Sequence, residues 1–386
     1  MITLSERSST FSDSVIRRMT RICNKYGSLN LSQGFPDFDP PKAILDRLAE
    51  VAYQGPHQYA ITWGAQNFRE ALCRKIEHFS GLNYDPNSEV AVTCGSTEAM
   101  IAAVMSTLNP GDKVAVFSPF YENYGADAIL SGAEPIFVAL KPPSFTFDEE
   151  ELRAAFKNGA KALILCNPSN PSGKVFTRDE LLKIAAIVKE FNAFVITDEV
   201  YEHIIYKPHV HTYFAALPGM RDHTIVCNSL SKTYSITGWR LGYVLAPAAV
   251  IDRVRKVHDF LTVGAAAPLQ EAAVVGLNFD DDYYAKMQED YTRRRNIFLT
   301  GLNQIGLKYY EPQGTYFVMV DISDFGYDDD YKFCLDLAEH VKIGAVPGSS
   351  FFRENVNNYI RFHFAKKDEV LEEAIEKISK INMLKR

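Results

Sequence analysis

Lys232 stands among hydroxyls, glycine and arginine in the run Ser229-Leu-Ser231-Lys232-Thr-Tyr-Ser-Ile-Thr-Gly238-Trp-Arg240. A lysine amine forms a Schiff base with a carbonyl only when it is partly neutral, a state that desolvation or a nearby cation promotes. Arg240 is such a cation. Its guanidinium, with the hydroxyls of Ser229 and Ser231, also suits a phosphate dianion held by charge-assisted hydrogen bonds. The chemistry implied is a seat for a covalently held, phosphorylated aldehyde. Taken alone, a Ser/Lys/Gly-rich turn is as often a plain solvated turn, so other segments must decide.

Four further runs each follow an apolar, strand-like stretch. Cys94-Gly95-Ser96-Thr97-Glu98 leads into an apolar helix expected near Ala99, where free N–H groups and hydroxyls can receive a phosphate; the plainer reading is an ordinary helix cap. Ser118-Pro-Phe120-Tyr121 offers an aromatic to lie against a flat heterocycle, although aromatics beside strands are mostly core. Asn167-Pro-Ser-Asn170-Pro-Ser-Gly173 is a rigid loop able to aim an amide, or a plain turn. Asp198-Glu199-Val-Tyr201 brings a carboxylate able to pair with a protonated ring nitrogen and a phenol three residues on, unless Asp198 merely caps a following helix.

These residues need a scaffold, and β-branched runs alternating with helical patterns provide one. The expected strands are 90–93, 113–117, 136–138, 162–165, 193–197, 224–226 and 243–245, with a crossover helix over 178–191. Seven such strands predict an α/β architecture, a mostly parallel sheet covered by helices whose active site gathers at the carboxyl ends of the strands. Beyond about Gly276 the pattern changes to a long charged helix over 282–305, strands near 316–320 and 359–364, a helix near 331–340 and a closing helix from Asp368, which reads as a smaller α+β domain. The expected division is a large domain at 34–279 and a small domain made of 1–33 with 280–386.

At 386 residues the chain exceeds the usual single-core size, and 47% apolar with 23% charged residues marks a globular protein. A net charge of −7 argues against nucleic acid as the main partner. No apolar run approaches a membrane span, and residues 1–14 lack the apolar core of a signal peptide, so a cytoplasmic location is expected. The six cysteines show no C-x-x-C pair and read as small buried hydrophobes. His209 and His211 form an H-x-H pair expected on a surface loop; no metal is assigned. A nicotinamide-binding glycine fingerprint is missing.

In order, from Leu31-Ser-Gln-Gly34-Phe35-Pro-Asp-Phe38 to Tyr359-Ile-Arg361-Phe, the motifs resemble the class I/II aminotransferases, the pyridoxal 5'-phosphate (PLP) enzymes of fold type I, nearest the kynurenine, methionine, aromatic and aspartate branch. The resemblance implies that Lys232 forms the Schiff base and shuttles the proton, that Asp198 keeps the pyridine nitrogen protonated, and that Tyr201 and Asn170 hydrogen-bond the ring's phenolic oxygen. It implies Tyr121 on the ring face, and Gly95, Ser96, Thr97, Ser229, Ser231 and Arg240 about the phosphate. It assigns Arg361 to the substrate α-carboxylate beside the Gly34 backbone, with Phe35 and Asn170 also at the substrate. Tyr59 matches a tyrosine that reaches the neighbouring subunit's phosphate, implying a homodimer. Phe35, Tyr59, Trp63 and Tyr121 suit an aromatic or thioether side chain, while aspartate or another dicarboxylate stays open. The implied activity is ping-pong transfer of an amino group from an L-amino acid to a 2-oxo acid such as 2-oxoglutarate; a cysteine-conjugate or cystathionine β-lyase on the same fold is the alternative.

Overall fold

The computed structural model describes Leu4, residues 9–11 and residues 13–386; the remaining positions of the expected N-terminal segment lie outside the described residues. All seven expected strands are present, and a two-residue eighth, Thr146–Phe147, extends one edge. Across the sheet the strands run Val90–Thr93, Gly242–Leu245, Thr224–Ser229, Phe194–Asp198, Ala160–Cys166, Lys113–Ser118, Glu134–Lys141 and Thr146–Phe147. The central five pair in parallel, and the pairs at the two margins are antiparallel.

Both faces of this sheet are covered, which is why its strands are continuous apolar runs without alternation. On one face Ala99, Ala103 and Val104 of the helix Ser96–Thr107 pack with Val250, Ile251 and Val254 of Ala248–Thr262. On the other, Leu152 and Phe156 of Glu149–Lys157 meet Leu181, Ile184 and Val188 of Arg178–Glu190. The latter starts with a reciprocal cap: the Thr177 hydroxyl accepts from the Glu180 N–H while the Glu180 carboxylate accepts from the Thr177 N–H.

The C-terminal part builds a second, antiparallel sheet in the order Lys308–Tyr310, Phe317–Asp321, Tyr359–His363, Val346–Pro347. Its strand Tyr359–His363 alternates as a strand must: Ile360 and Phe362 sink into the core with Phe298 and Leu302 of the 25-residue helix Asp281–Ile305, so Arg361 takes the opposite face. The expected helix near 331–340 is an α-helix at Asp330–Asp336 followed by a π-turn at Leu337–Val341. The N-terminal helix Val15–Tyr26 leads into Leu29–Asn30, which pairs in parallel with Ile343–Gly344.

Candidate active site

Strand register brings the first set of residues together. Gly242 lies opposite Thr93 on one side and Ser229 on the other, so the two loops leaving those strands sit side by side. A Cβ on Gly242 would fall 2.6 Å from the Ser96 nitrogen, and one on Gly95 would fall 2.7 Å from the Arg240 guanidinium carbon. Only glycines allow so close an approach, and Gly95 also has a left-handed φ of +83°. Gly95 is itself the cap of the helix Ser96–Thr107, which starts three residues before the expected Ala99 and puts Ser96 and Thr97 in its first turn rather than at its cap. The result is a helix N-terminus with an arginine laid over its glycine. Arg240 is exposed, donates to the Thr237 carbonyl at 3.0 Å and has no carboxylate partner among the described residues. Ser231 donates its N–H to the Ser229 hydroxyl at 3.4 Å, keeping both on the same rim. Free N–H groups, hydroxyls and a guanidinium without a carboxylate partner among the described residues make this corner able to receive an anion.

Asp198 ends its strand in a turn and caps no helix. Its buried carboxylate accepts from the Tyr124 hydroxyl at 2.6 Å and from the Val200 N–H at 3.3 Å. Burial pushes this carboxyl above its ordinary range, while the Tyr124 and Val200 bonds and the positive charge of Lys232 pull it back. The Lys232 ammonium nitrogen lies 6.0 Å from the centre of the Tyr316 ring. Tyr316 in turn stands edge-on to Tyr201, with ring centres 5.3 Å apart, so Lys232 and Tyr201 flank the same ring, and the charge of Asp198 acts on Tyr201 as that of Lys232 acts on Asp198. Burial holds the Tyr201 hydroxyl well above its usual range.

Arg361 forms the far wall. It is 1% exposed and donates to Asn170 Oδ1 at 2.5 Å and to the Ser32 carbonyl at 3.2 Å, while its Nε has no partner. Its guanidinium carbon lies 4.0 Å from the Phe317 ring centre and 4.6 Å from that of Phe351. Burial pushes its pKa down to about 10, against the stabilising influence of Tyr201, Glu122, Tyr316 and Tyr121. No carboxylate pairs with it among the described residues. A buried guanidinium without a counter-ion is costly unless an anion is supplied from outside. Gly34 is pressed against Tyr316 and Phe317, and its carbonyl accepts from the Tyr316 hydroxyl at 2.9 Å, which sets this backbone beside Arg361. Tyr121 is partly buried, its hydroxyl pushed up to about 12 chiefly by burial.

Other residues fall elsewhere. Tyr59 is 85% exposed, away from the buried wall of its own chain. Phe35 is 40% exposed under the Lys366 ammonium, 5.0 Å away. Trp63 does not join the site: it packs into the core beside the outer strand with Arg255 over its ring at 4.5 Å. His211, expected on a surface loop, has a side chain only 6% exposed and pairs with Glu199 at 3.1 Å. Sequence reading missed Tyr124, which lies on the helix Asn123–Leu130 just beyond the quoted Ser118-to-Tyr121 run. It also missed Glu122, Phe317 and Phe351, which no motif marks, and Ser32, which lies within the quoted Leu31-to-Phe38 run but acts through its backbone carbonyl.

A large, mostly parallel sheet with an anion seat at its strand ends, closed by a small sheet that contributes a buried arginine, is the architecture of the fold type I enzymes. The family described as aminotransferase class I and II matches residues 27–378, and the chain belongs to it. It is 35% identical over 381 residues to the probable N-succinyldiaminopimelate aminotransferase of Mycobacterium tuberculosis, covering 96% of each. It is 36% identical over 368 residues to the methionine aminotransferase of Escherichia coli, covering 95% of each. The solved N-succinyldiaminopimelate aminotransferase of M. tuberculosis superposes with a TM-score of 0.94 at 36% identity, covering 98% of this chain and 100% of that one. The protein is therefore an aminotransferase, and nothing in these likenesses favours the lyase.

Proposed function

We propose that the chain transfers the amino group of an L-amino acid with an aromatic, methionine, kynurenine or aspartate-type side chain to a 2-oxo acid such as 2-oxoglutarate, using PLP in a ping-pong cycle. The observation that carries the reading is Arg361, a buried guanidinium with an unpartnered Nε and no counter-ion among the described residues, which a substrate α-carboxylate would complete by a planar two-point grip.

The residues present fit PLP. Gly95, Ser96, Thr97, Ser229, Ser231 and Arg240 would hold its phosphate, for the glycines leave no room for a Cβ where the helix N-terminus and the arginine meet. Asp198 would face the ring nitrogen; burial pushes its carboxyl up, and Tyr124, Val200 and Lys232 favour the ionised form against that burial. Tyr201 and Asn170 would bond the ring's phenolic oxygen, and Tyr121 would cover the ring face. When bound, PLP supplies an electron sink for a carbanion at the substrate Cα. Lys232 would anchor the cofactor and move the Cα proton as general base and then general acid. Arg361, Gly34 and Asn170 would orient the substrate, and Phe35, although its side chain is partly exposed beside Lys366, follows Gly34 at the mouth of the site.

We also propose a cytoplasmic homodimer with the domain division at 34–279 against 1–33 with 280–386. Tyr59, Ile61, Phe260, Leu261 and Val263 are exposed apolar residues, and the Thr62 hydroxyl bonds Asp259 at 3.3 Å, so the two segments form one patch. Covering that patch with a second copy would place Tyr59 in reach of the neighbouring phosphate seat. The test is the visible spectrum of the protein with PLP while single amino acids are added without a 2-oxo acid: conversion of the yellow band to the pyridoxamine form supports the reading. Lys232→Ala should abolish turnover; normal activity in that variant would overturn it.

A further inference from the structure

Glu122 follows Tyr121 in the chain and is tied to the start of the N-terminal helix. Its carboxylate accepts from the Val15 N–H at 3.1 Å and from the Ser14 hydroxyl, which fixes the first turn of the helix Val15–Tyr26. Ile16 of that turn packs on Phe351 and Val346, with Val15 and Tyr121 against the same cluster. Phe351 carries the Arg361 guanidinium on its ring. Glu122, Tyr121, Phe351 and the first helical turn therefore gather on the Phe351 side of Arg361. The negative charge of Glu122 acts on both the Tyr121 hydroxyl and the Arg361 guanidinium. It has no lysine or arginine partner among the described residues; its bonds come from a neutral hydroxyl and a backbone N–H.

With the α-carboxylate on Arg361, the substrate side chain must find room along these residues. An uncharged side chain meets Tyr121, Phe351 and the Val15-Ile16 turn. A side-chain carboxylate meets a fixed negative charge in a partly desolvated space, where like charges repel more strongly than in water. We propose that Glu122 is a specificity-determining residue that disfavours dicarboxylic substrates and favours those with uncharged side chains. The inference rests on the aminotransferase site assigned above.

The experiment compares kcat/KM for methionine and phenylalanine with kcat/KM for aspartate and glutamate in the PLP-loaded protein. Glu122→Gln should shift the acidic-to-neutral ratio about tenfold toward the acidic donors, the size expected for loss of one partly screened charge contact. Ser14→Ala, which weakens the tether without changing charge, should leave the ratio within about twofold of the parent. Glu122→Asp keeps the charge and should keep the parent's ratio; if the glutamine variant does not load cofactor, a ratio in the aspartate variant that has moved to favour acidic donors overturns the proposal, and a retained ratio supports it. A parent enzyme that prefers aspartate or glutamate, or a cofactor-loaded Glu122→Gln with an unchanged ratio, also overturns it. Failure of the site assignment itself reads differently: no amino acid then converts the cofactor band of the unmodified protein.

Discussion

Replacing Tyr124 by phenylalanine removes one oxygen from a buried pair and nothing else. Its hydroxyl lies 2.6 Å from Asp198 Oδ2, in a site where burial already works against the ionised carboxylate. A hydrogen bond to a charged group contributes about 1.5–3 kcal/mol net, and more is at stake where water cannot substitute. At about 1.4 kcal/mol per factor of ten, Tyr124→Phe should lower kcat/KM roughly 10- to 150-fold if the charge on Asp198 is what the reaction needs. The sign of the pH effect follows from the same balance. Without Tyr124, desolvation is less opposed, the Asp198 carboxyl rises further, and the acidic limb of the kcat/KM profile moves to higher pH. The assay is steady-state kinetics from pH 5 to 9 on protein of confirmed cofactor content. A loss below about threefold with an unmoved acidic limb would refute the reasoning, since it would mean that Tyr124 serves packing alone.

Arg361→Lys keeps the charge but loses the planar fork, and should reduce kcat/KM for every amino donor by about 100-fold, with most of the loss in KM; equal KM values would count against carboxylate binding there. The pair Lys75–Glu202 is 2.7 Å apart with side chains 3% and 2% exposed, so Lys75→Met should cost about 3–5 kcal/mol, read as a lower melting temperature, and Lys75→Met with Glu202→Leu should recover much of it. Glu202 is subject to a burial penalty outweighed by Lys75 and His203, which together hold its carboxyl well below the usual range; its contribution to stability is present above about pH 4.5, the ordinary value, and is lost as the pH falls toward its folded value, which denaturation melts between pH 3 and 6 will follow. Phe260 is 92% exposed, and Phe260→Asp should shift the molecule toward a monomer in light scattering, with loss of activity if Tyr59 of a second copy completes the site.

The large sheet was legible because strands such as Val90–Thr93 and Thr224–Ser229 are buried on both faces and so appear as unbroken apolar runs. The strands that escaped notice are short. Thr146–Phe147, Leu29–Asn30 and Val346–Pro347 hold two residues each, too few to display a period, and are set by the neighbours they pair with. The helix start at Ser96 rather than near Ala99 reflects a real ambiguity, since serine and threonine suit both the cap and the first turn. In the site, Lys232, Asp198 and Arg361 could be picked out by ordered motifs. Tyr124 could not, because a tyrosine on an apolar helix face has the same appearance whether it packs or donates a bond. The Ser14–Glu122 contact joins positions that no periodicity connects, and His211 looked like a loop residue until Glu199 was found beneath it.

The pairing of Leu29–Asn30 with Ile343–Gly344 has a consequence for the order in which a newly made chain matures. The strands of the large sheet are complete once Leu245 has been synthesised, and they need nothing further along the chain to pair. The amphipathic helix Val15–Tyr26, with Met19 and Cys23 facing inward, has been waiting since the start and finds its sheet partner only when Ile343 emerges. At translation rates of about 5–20 residues per second that delay is roughly 15–60 s. Through that interval the first amphipathic helix of the nascent protein is without its resting place and open to whatever binds apolar chain at the ribosome exit, and the loops about Gly95, Ser229 and Arg240 can assemble before it is seated; the contact between Ser14 and Glu122 is therefore among the last parts of the molecule to settle.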